Sequence, residues 1–225
     1  PNDFKLKKND YSYIEGDARK IAAVIPQIFQ VAMDKGFSSS DIQILAPMYR
    51  GEEGIDNLNQ IMQDYLNPRK SHTLEFRYIE NSCFRIGDKV LHLVNDINKG
   101  VSNGDVGYIR DLIPAKDSES KQDEIVIDFG GVDVSYARSD WDRITLAYAI
   151  SIHKSQGSEF PVVIMPITNQ AYKMLQRNLI YTGVTRAKQK LILLGSENAY
   201  LKAVRTEGSK RNTFLKELFA REYSL

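Results

Sequence analysis

A single cysteine, Cys83, stands among 225 residues, with three histidines and one tryptophan. One thiol excludes a disulfide framework and fits a reducing compartment. No apolar run nears the roughly 20 residues that a membrane helix needs, and no signal peptide opens the chain, so the sequence reads as that of a cytoplasmic protein with no membrane partner. The formal net charge is only +1, which excludes an overall basic field. Any nucleic-acid contact must then come from local placement of Lys and Arg. Nothing fits Gly-x-x-x-x-Gly-Lys-Ser/Thr, and no strand ends in an acidic pair that would hold a magnesium ion beside it. The chain has no phosphate cradle of its own.

What is present is a composition 42% hydrophobic and 26% charged, enough to bury a sizeable core in one or two domains. Residues 17–35 place Ile21, Val24, Ile25, Ile28, Phe29, Val31 and Ala32 at helical spacing, with Gly36 as a stop and Pro26 as an expected kink or break. Residues 42–46, 162–165 and 191–194 are continuous apolar runs, the mark of strands buried on both faces. Further helical patterns occupy residues 55–66, 172–181 and 213–223. Such alternation predicts an α/β fold, a parallel sheet with flanking helices. Over residues 84–142 the pattern changes to brief β-type runs divided by Gly, Asp and Asn turns. These form an insertion that splits the main domain into residues 1–83 and 143–225. Within it, residues 113–123 carry charge and small polar groups with nothing to bury, as expected of a mobile hairpin loop.

Polar chemistry concentrates in two stretches. Residues 145–161 feed Ser151, His153, Lys154, Ser155, Gln156, Gly157 and Glu159 into one turn after an apolar strand. Hydroxyls, a ring, a cation, an amide and bare backbone suit the holding of phosphates, and they are also what an ordinary solvated turn is made of. Residues 177–195 carry Tyr181, Gly183, Val184, Thr185, Arg186 and Ala187 ahead of an apolar run. The first stretch resembles motif V of superfamily 1 helicases. The second resembles motif VI, with its Tyr-x-Gly-Val-Thr-Arg-Ala core at residues 181–187. Upstream, residues 44–51 form an apolar strand that delivers Arg50 and resembles motif IV. The short insertion is similar to the small SH3-like β-barrel of RecD-like helicases and lacks the large helical insertion of UvrD-type members. Over essentially its whole length the sequence resembles the RecD-like family: a RecA-like parallel sheet, the second motor domain, interrupted by an SH3-like barrel.

That resemblance implies the C-terminal motor half of an ATP-dependent DNA helicase that moves 5′ to 3′ on single-stranded DNA. Since the P-loop is missing and the sequence opens at Pro1, the first motor domain is expected elsewhere in a longer chain, with ATP and Mg2+ bound mainly there. Arg186 takes the place of the finger that reaches the γ-phosphate, where a planar, permanently charged fork suits phosphoryl transfer. Arg50 is placed as a second phosphate sensor. Glu159 stands at the spacing of a ribose contact, and Gly157 leaves room for nucleotide close to the backbone. Gln156 departs from the lysine of UvrD-type motifs. Ser151, His153, Lys154 and Ser155 fall to the nucleic-acid strand, and Thr185 is positioned to orient Arg186. On the barrel, Lys89, His92, Lys99 and Arg110, with Asn95, Asn98 and Asn103, are the groups available to a single strand, and the motor fold is expected to survive removal of the barrel. Other recombination or repair subunits are the expected partners. A stand-alone nucleic-acid-binding module and a protein-docking module are the other readings.

Overall fold

The computed structural model describes residues 6–79 and 82–208. The helix expected at residues 213–223 lies outside them. The chain begins with β1 (Tyr11–Glu15), α1 (Ala18–Asp34), β2 (Ile42–Ala46) and α2 (Ile55–Leu66). Seven short strands follow: β3 (Glu75–Ile79), β4 (Ser82–Arg85), β5 (Lys89–His92), β6 (Val106–Ile113), β7 (Glu124–Asp128), β8 (Asp133–Ala137) and β9 (Ile144–Leu146). It closes with β10 (Ala149–Ser151), β11 (Phe160–Ile167), α3 (Arg177–Val184), β12 (Ala187–Gly195) and α4 (Glu197–Arg205).

The larger unit is a parallel sheet of order β1-β12-β11-β2-β10. Its apolar runs sort by the two-residue period of a strand. Ile42, Ile44, Ala46, Val162, Ile164 and Ile192 face the core under α1 and α2, while Leu45, Val163, Met165, Ile167 and Leu193 face α3 and α4. Both faces are covered, so the strands read as unbroken hydrophobic runs. Helix α1 is capped by Asp17, whose carboxylate accepts from the Lys20 amide, and ends before Gly36 at φ +95. Pro26 does not break it. A helix-interior proline costs about 3 kcal/mol, but Ile21, Ala22, Ile25, Phe29 and Ala32 bury one whole face around it. At roughly 1.5–3 kcal/mol for each large apolar side chain, that packing wins. The pattern at residues 172–181 resolves differently. Residues 172–175 form turns closed by Met174 N–H to Ala171 and Leu175 N–H to Tyr172 carbonyls, and the helix starts only at Arg177.

The smaller unit is an antiparallel sheet, β8-β7-β6-β5-β9, with the β3-β4 hairpin against it. Its sheet reaches past residue 142 to β9, which pairs with β5. Trp141 seals one end, stacked on Phe76 at 5.4 Å, edge-on to Phe84 at 6.2 Å, and donating from its indole to the Tyr136 carbonyl at 3.1 Å. The 113–123 region is the β6–β7 hairpin connection, where Glu124 takes the hydroxyls of Ser118 and Ser120. Cys83 is half-buried, and burial pushes its thiol above the usual range. No helix among the described residues is long and apolar enough to cross a membrane.

The two units are not separable in the way the sequence suggests. One continuous core runs from Ile25 and Phe29 through Leu58 and Met62 to Val90, Ile127 and Trp141. Polar clamps cross the seam as well. Asn59 of α2 donates to the Leu146 and Ala149 carbonyls and accepts from the Ala149 amide. Gln43 of β2 donates to the carbonyls of Ala147 and Tyr148. Buried Asp88 accepts from Gln63, Asn67, Tyr148 and the Arg85 amide. Burial pushes its carboxyl above the usual range against the pull of those donors. The barrel and the motor sheet thus share buried contacts that an independent motor fold would have to do without.

Candidate nucleotide and nucleic-acid interface

Strands β10 and β11 lie on either side of β2 and run in the same direction, so the segment between them must travel from the C-terminal end of the sheet to its N-terminal end. Residues 152–159 make that descent, and they divide the polar set of the motif in two. Ser151, His153 and Lys154 stay at the upper end beside the exit of β2. Ser158 and Glu159 arrive at the lower end, beside Arg186 and Lys188 at the start of β12, and Gln156 and Gly157 lie between, with the Gln156 amide bonded to the His153 carbonyl. The turn is held by its own serines. Ser151 Oγ accepts from the Lys154 amide at 3.2 Å, and Ser155 Oγ donates to the Ile152 carbonyl at 2.7 Å. Ser155 is wholly buried and Ser151 nearly so; their hydroxyls build the turn, and Ser151, unlike Ser155, also lines the depression beside His153 and Lys154. Gly157 sits at φ +87 with open space around it, so the backbone conformation itself calls for glycine. His153, Gln156 and Glu159 are exposed.

At the lower end Arg186 is fixed in place. Its Nε donates to the Thr182 carbonyl at 3.1 Å, Nη1 to the Ser158 carbonyl at 3.0 Å and Nη2 to Thr185 Oγ1 at 3.1 Å. Thr185 in turn donates to the Tyr181 carbonyl at 2.9 Å. The Phe160 amide pairs with the Arg186 carbonyl at 2.9 Å, so both motifs meet through backbone as well. Three guanidinium N–H groups are thus committed, and the fork has others left for an incoming phosphate. Beside it Glu159 pairs with Lys188 at 2.9 Å. Lys188, and to a smaller degree Arg186, hold the Glu159 carboxyl below the usual range. Both partners are more than half exposed, so the pair is weak and open to exchange for a ligand. Sequence reasoning missed Lys188 and Ser158. The first had a readable signal, two residues beyond the arginine; the second contributes only a carbonyl, which no sequence pattern marks. Gly183, inside the same motif, serves packing: a Cβ there would lie 2.5 Å from Met165 Sδ, so α3 rests directly on β11.

Arg50 is elsewhere. It follows β2 at the upper end, whereas Arg186 precedes β12 at the lower. Phe160 is level with Ala187 and Ile164 with Ile44. At about 3.3 Å per residue the two arginines leave the sheet roughly 20 Å apart. Parallel strands send residues after one strand and before another to opposite edges, so Arg50, expected as a second phosphate sensor, and Arg186 leave the sheet at different ends. Arg50 is exposed next to a depression of about 400 Å³ formed by Pro47, Met48, Tyr49, Ser151, His153, Lys154 and Met174. Tyr49 is 51% exposed and Met174 40%. Burial holds the Lys154 ammonium below its ordinary value. Cations, an aromatic face and a thioether around a shallow trough form a surface suited to a nucleic-acid strand.

The barrel cations do not contribute in the expected way. Lys89 is 3% exposed, and His92 is buried against the Tyr136 hydroxyl at 3.1 Å. Lys99 donates to the Ser135 carbonyl at 2.9 Å and lies over the Tyr136 ring, and Arg110 pairs with Asp133. Asn95 accepts from the Asn103 amide at 2.8 Å. Lys89, His92 and Lys99 are thus tied into the barrel, the Arg110 pair is exposed, and Asn98 and Asn103 are exposed with no side-chain hydrogen bond of this kind.

Residues 146–194 match the UvrD-like helicase C-terminal domain family, and residues 58–129 match the SH3 domain of ATP-dependent RecD-like DNA helicases. The chain is 30% identical over 203 residues to an ATP-dependent RecD2 DNA helicase of Deinococcus radiodurans, covering 90% of this chain and 26% of the relative. It is 30% identical over 166 residues to the RecBCD enzyme subunit RecD of Haemophilus influenzae, covering 74% of this chain and 23% of that one. It therefore spans about a quarter of the length of these relatives. A solved Pif1 helicase, from a structure of unwinding at forked double-stranded DNA by two coordinating Pif1 helicases, shares the fold. That match has TM-score 0.51 at 16% identity and covers 94% of this chain and 52% of the other.

Proposed function

The chain is the C-terminal part of a RecD-like superfamily 1 helicase, and from that premise we propose that it supplies one wall of the ATP cleft and one stretch of the DNA track in an ATP-dependent DNA helicase. ATP supplies the free energy of translocation when bound against a P-loop domain that these 225 residues do not contain. A magnesium ion would be held with it on that domain. The residues present fit one side of a nucleotide. Arg186 has spare donors beside an exposed carboxylate, Glu159, and the backbone at Gly157 is unobstructed. Arg186 would stabilise charge spreading onto the γ-phosphate, and Glu159 would exchange Lys188 for a ribose hydroxyl.

The observation that carries this reading is the single segment 152–159, which joins Ser158, bonded to Arg186, to Lys154, in the trough at the other end of the sheet. Closure of the cleft on Arg186 would move that segment and, with it, the grip on a strand. Lys154, Arg50 and His153 would meet phosphates, and Tyr49 would offer a face for a base. We assign residues 1–83 and 143–225 to the motor and 84–142 to the barrel, with β9 as the shared seam. We further propose that it works in the cytoplasm on single-stranded DNA, and, since a relative is named as a subunit of the RecBCD enzyme, alongside further subunits of a repair or recombination enzyme.

The test is binding of a fluorescein-labelled oligothymidine to the purified chain, followed by anisotropy at two salt concentrations. Arg50→Glu and Lys154→Glu should each weaken binding and flatten its salt dependence by about one ion, while Lys188→Glu should leave it unchanged. Equal losses at all three positions, or steady ATP hydrolysis by this chain alone, would refute the division of roles.

A further inference from the structure

Helix α1 carries more apolar surface than its core face uses. Ile21, Ile25, Phe29 and Ala32 are buried against the sheet, but a second row, Val24, Ile28 and Val31, with Lys35 beyond it, runs beside them at helical spacing. Val31 is 52% exposed. This row forms one side of a groove of about 680 Å³ between α1 and the outer strand β1, with Phe37, Val162 and Ile192 as its floor. Lys7, Lys35 and Lys190 stand around it, and no Asp or Glu is among its lining residues in the described part of the chain. Lys190 is anchored on the rim by donating to the Lys8 and Asn9 carbonyls at 3.2 and 2.8 Å. Burial first, then the neighbouring charges of Lys35 and Lys7, hold its ammonium below the ordinary value, with Asp10 opposing. Three like charges crowd an apolar trough without carboxylates of its own.

We propose that this groove docks an amphipathic helix of a partner protein whose apolar stripe is flanked by Asp and Glu. The apolar floor would take side chains at i, i+3, i+4 and i+7 of that helix, and the lysine rim would select acidic flanks and reject basic ones. The site lies on the α1 face at the edge of the sheet and shares no lining residue with the trough by Lys154.

The probe is a fluorescein-labelled synthetic peptide with Leu at those positions and Glu elsewhere, compared by anisotropy with a twin carrying Lys for every Glu. The acidic peptide should bind saturably and the basic twin at least about tenfold more weakly. Lys7→Glu/Lys35→Glu should reverse that preference, and Val31→Asp should abolish binding of both. All are surface positions, and unchanged circular dichroism verifies folding. Equal binding of the twins, or no effect of the lysine changes, overturns the proposal. So does a gain of affinity on Leu215→Asp/Leu218→Asp, since the chain's own end would then be the occupant. Binding by this chain but not by a longer parent with its P-loop domain would overturn it too, by making the groove an internal interface.

Discussion

Lys89 Nζ, on the first strand of the barrel sheet, donates to the carbonyl of Ile42, on the motor strand β2, at 3.1 Å. A lysine this buried costs free energy to keep charged. Burial pushes its ammonium from the ordinary 10.5 down to about 8, with Asp41 opposing. Below pH 8 folded and unfolded chains both hold the proton, and the cost is present in full. Between pH 8 and 10.5 the unfolded chain holds more protons, so stability rises with pH. The rise is about 3 kcal/mol at 1.36 kcal/mol per unit. Lys89→Met removes it. Urea unfolding of both proteins at several pH values should show the wild type gaining relative to the variant across this window. Tyr136 and Tyr148, whose hydroxyls are pushed up by burial, affect both alike. A pH-independent difference would refute the assignment.

Arg186→Ala, placed in a parent that carries the P-loop domain, should lower ATP turnover by about 10³ to 10⁵ while leaving oligothymidine affinity unchanged. Three hydrogen bonds are lost, so a stability loss of roughly 1–3 kcal/mol should accompany it. Normal ATPase with impaired DNA binding would show that the residue serves only the turn.

Two glycines should answer differently to alanine. At Gly195, φ is +134 and a Cβ would come within 1.8 Å of the Ile167 carbonyl oxygen, inside the sheet. Gly195→Ala should cost more than about 4 kcal/mol and leave little soluble protein. At Gly157, φ is +87 with nothing nearby, and alanine should cost only about 1–2 kcal/mol of backbone strain. Thermal melts rank the two; similar losses would contradict the packing described.

Replacing residues 84–142 by a Gly-Ser linker should destabilise the motor unit itself. Tyr108 and Lys89 share a cavity wall with Phe29, Met33 and Leu66, and Asp88 gathers donors from α2. The excised chain should melt far below the parent or aggregate on gel filtration. A cooperative melt at the parental temperature would restore the view of two independent folds.

Much of this was legible in order along the chain. Continuous apolar runs marked the buried strands β2, β11 and β12, and period-3.6 apolar spacing marked the helices α1 and α2, because burial on two faces or on one leaves its pattern in the residues themselves. Short polar runs ahead of Arg186 and around Lys154 marked the chemistry, since groups that meet phosphates must be polar where a core strand is not. What the chain order could not contain was direction. Only the strand order β1-β12-β11-β2-β10 separates Arg50 from Arg186 and divides one motif between two ends of the sheet. Burial likewise had to be seen: Lys89, His92 and Ser155 look like surface groups in sequence, and only three-dimensional packing turned them inward. A side chain's identity fixes what it can bond, but which partner is within 3 Å is set by segments far away along the chain.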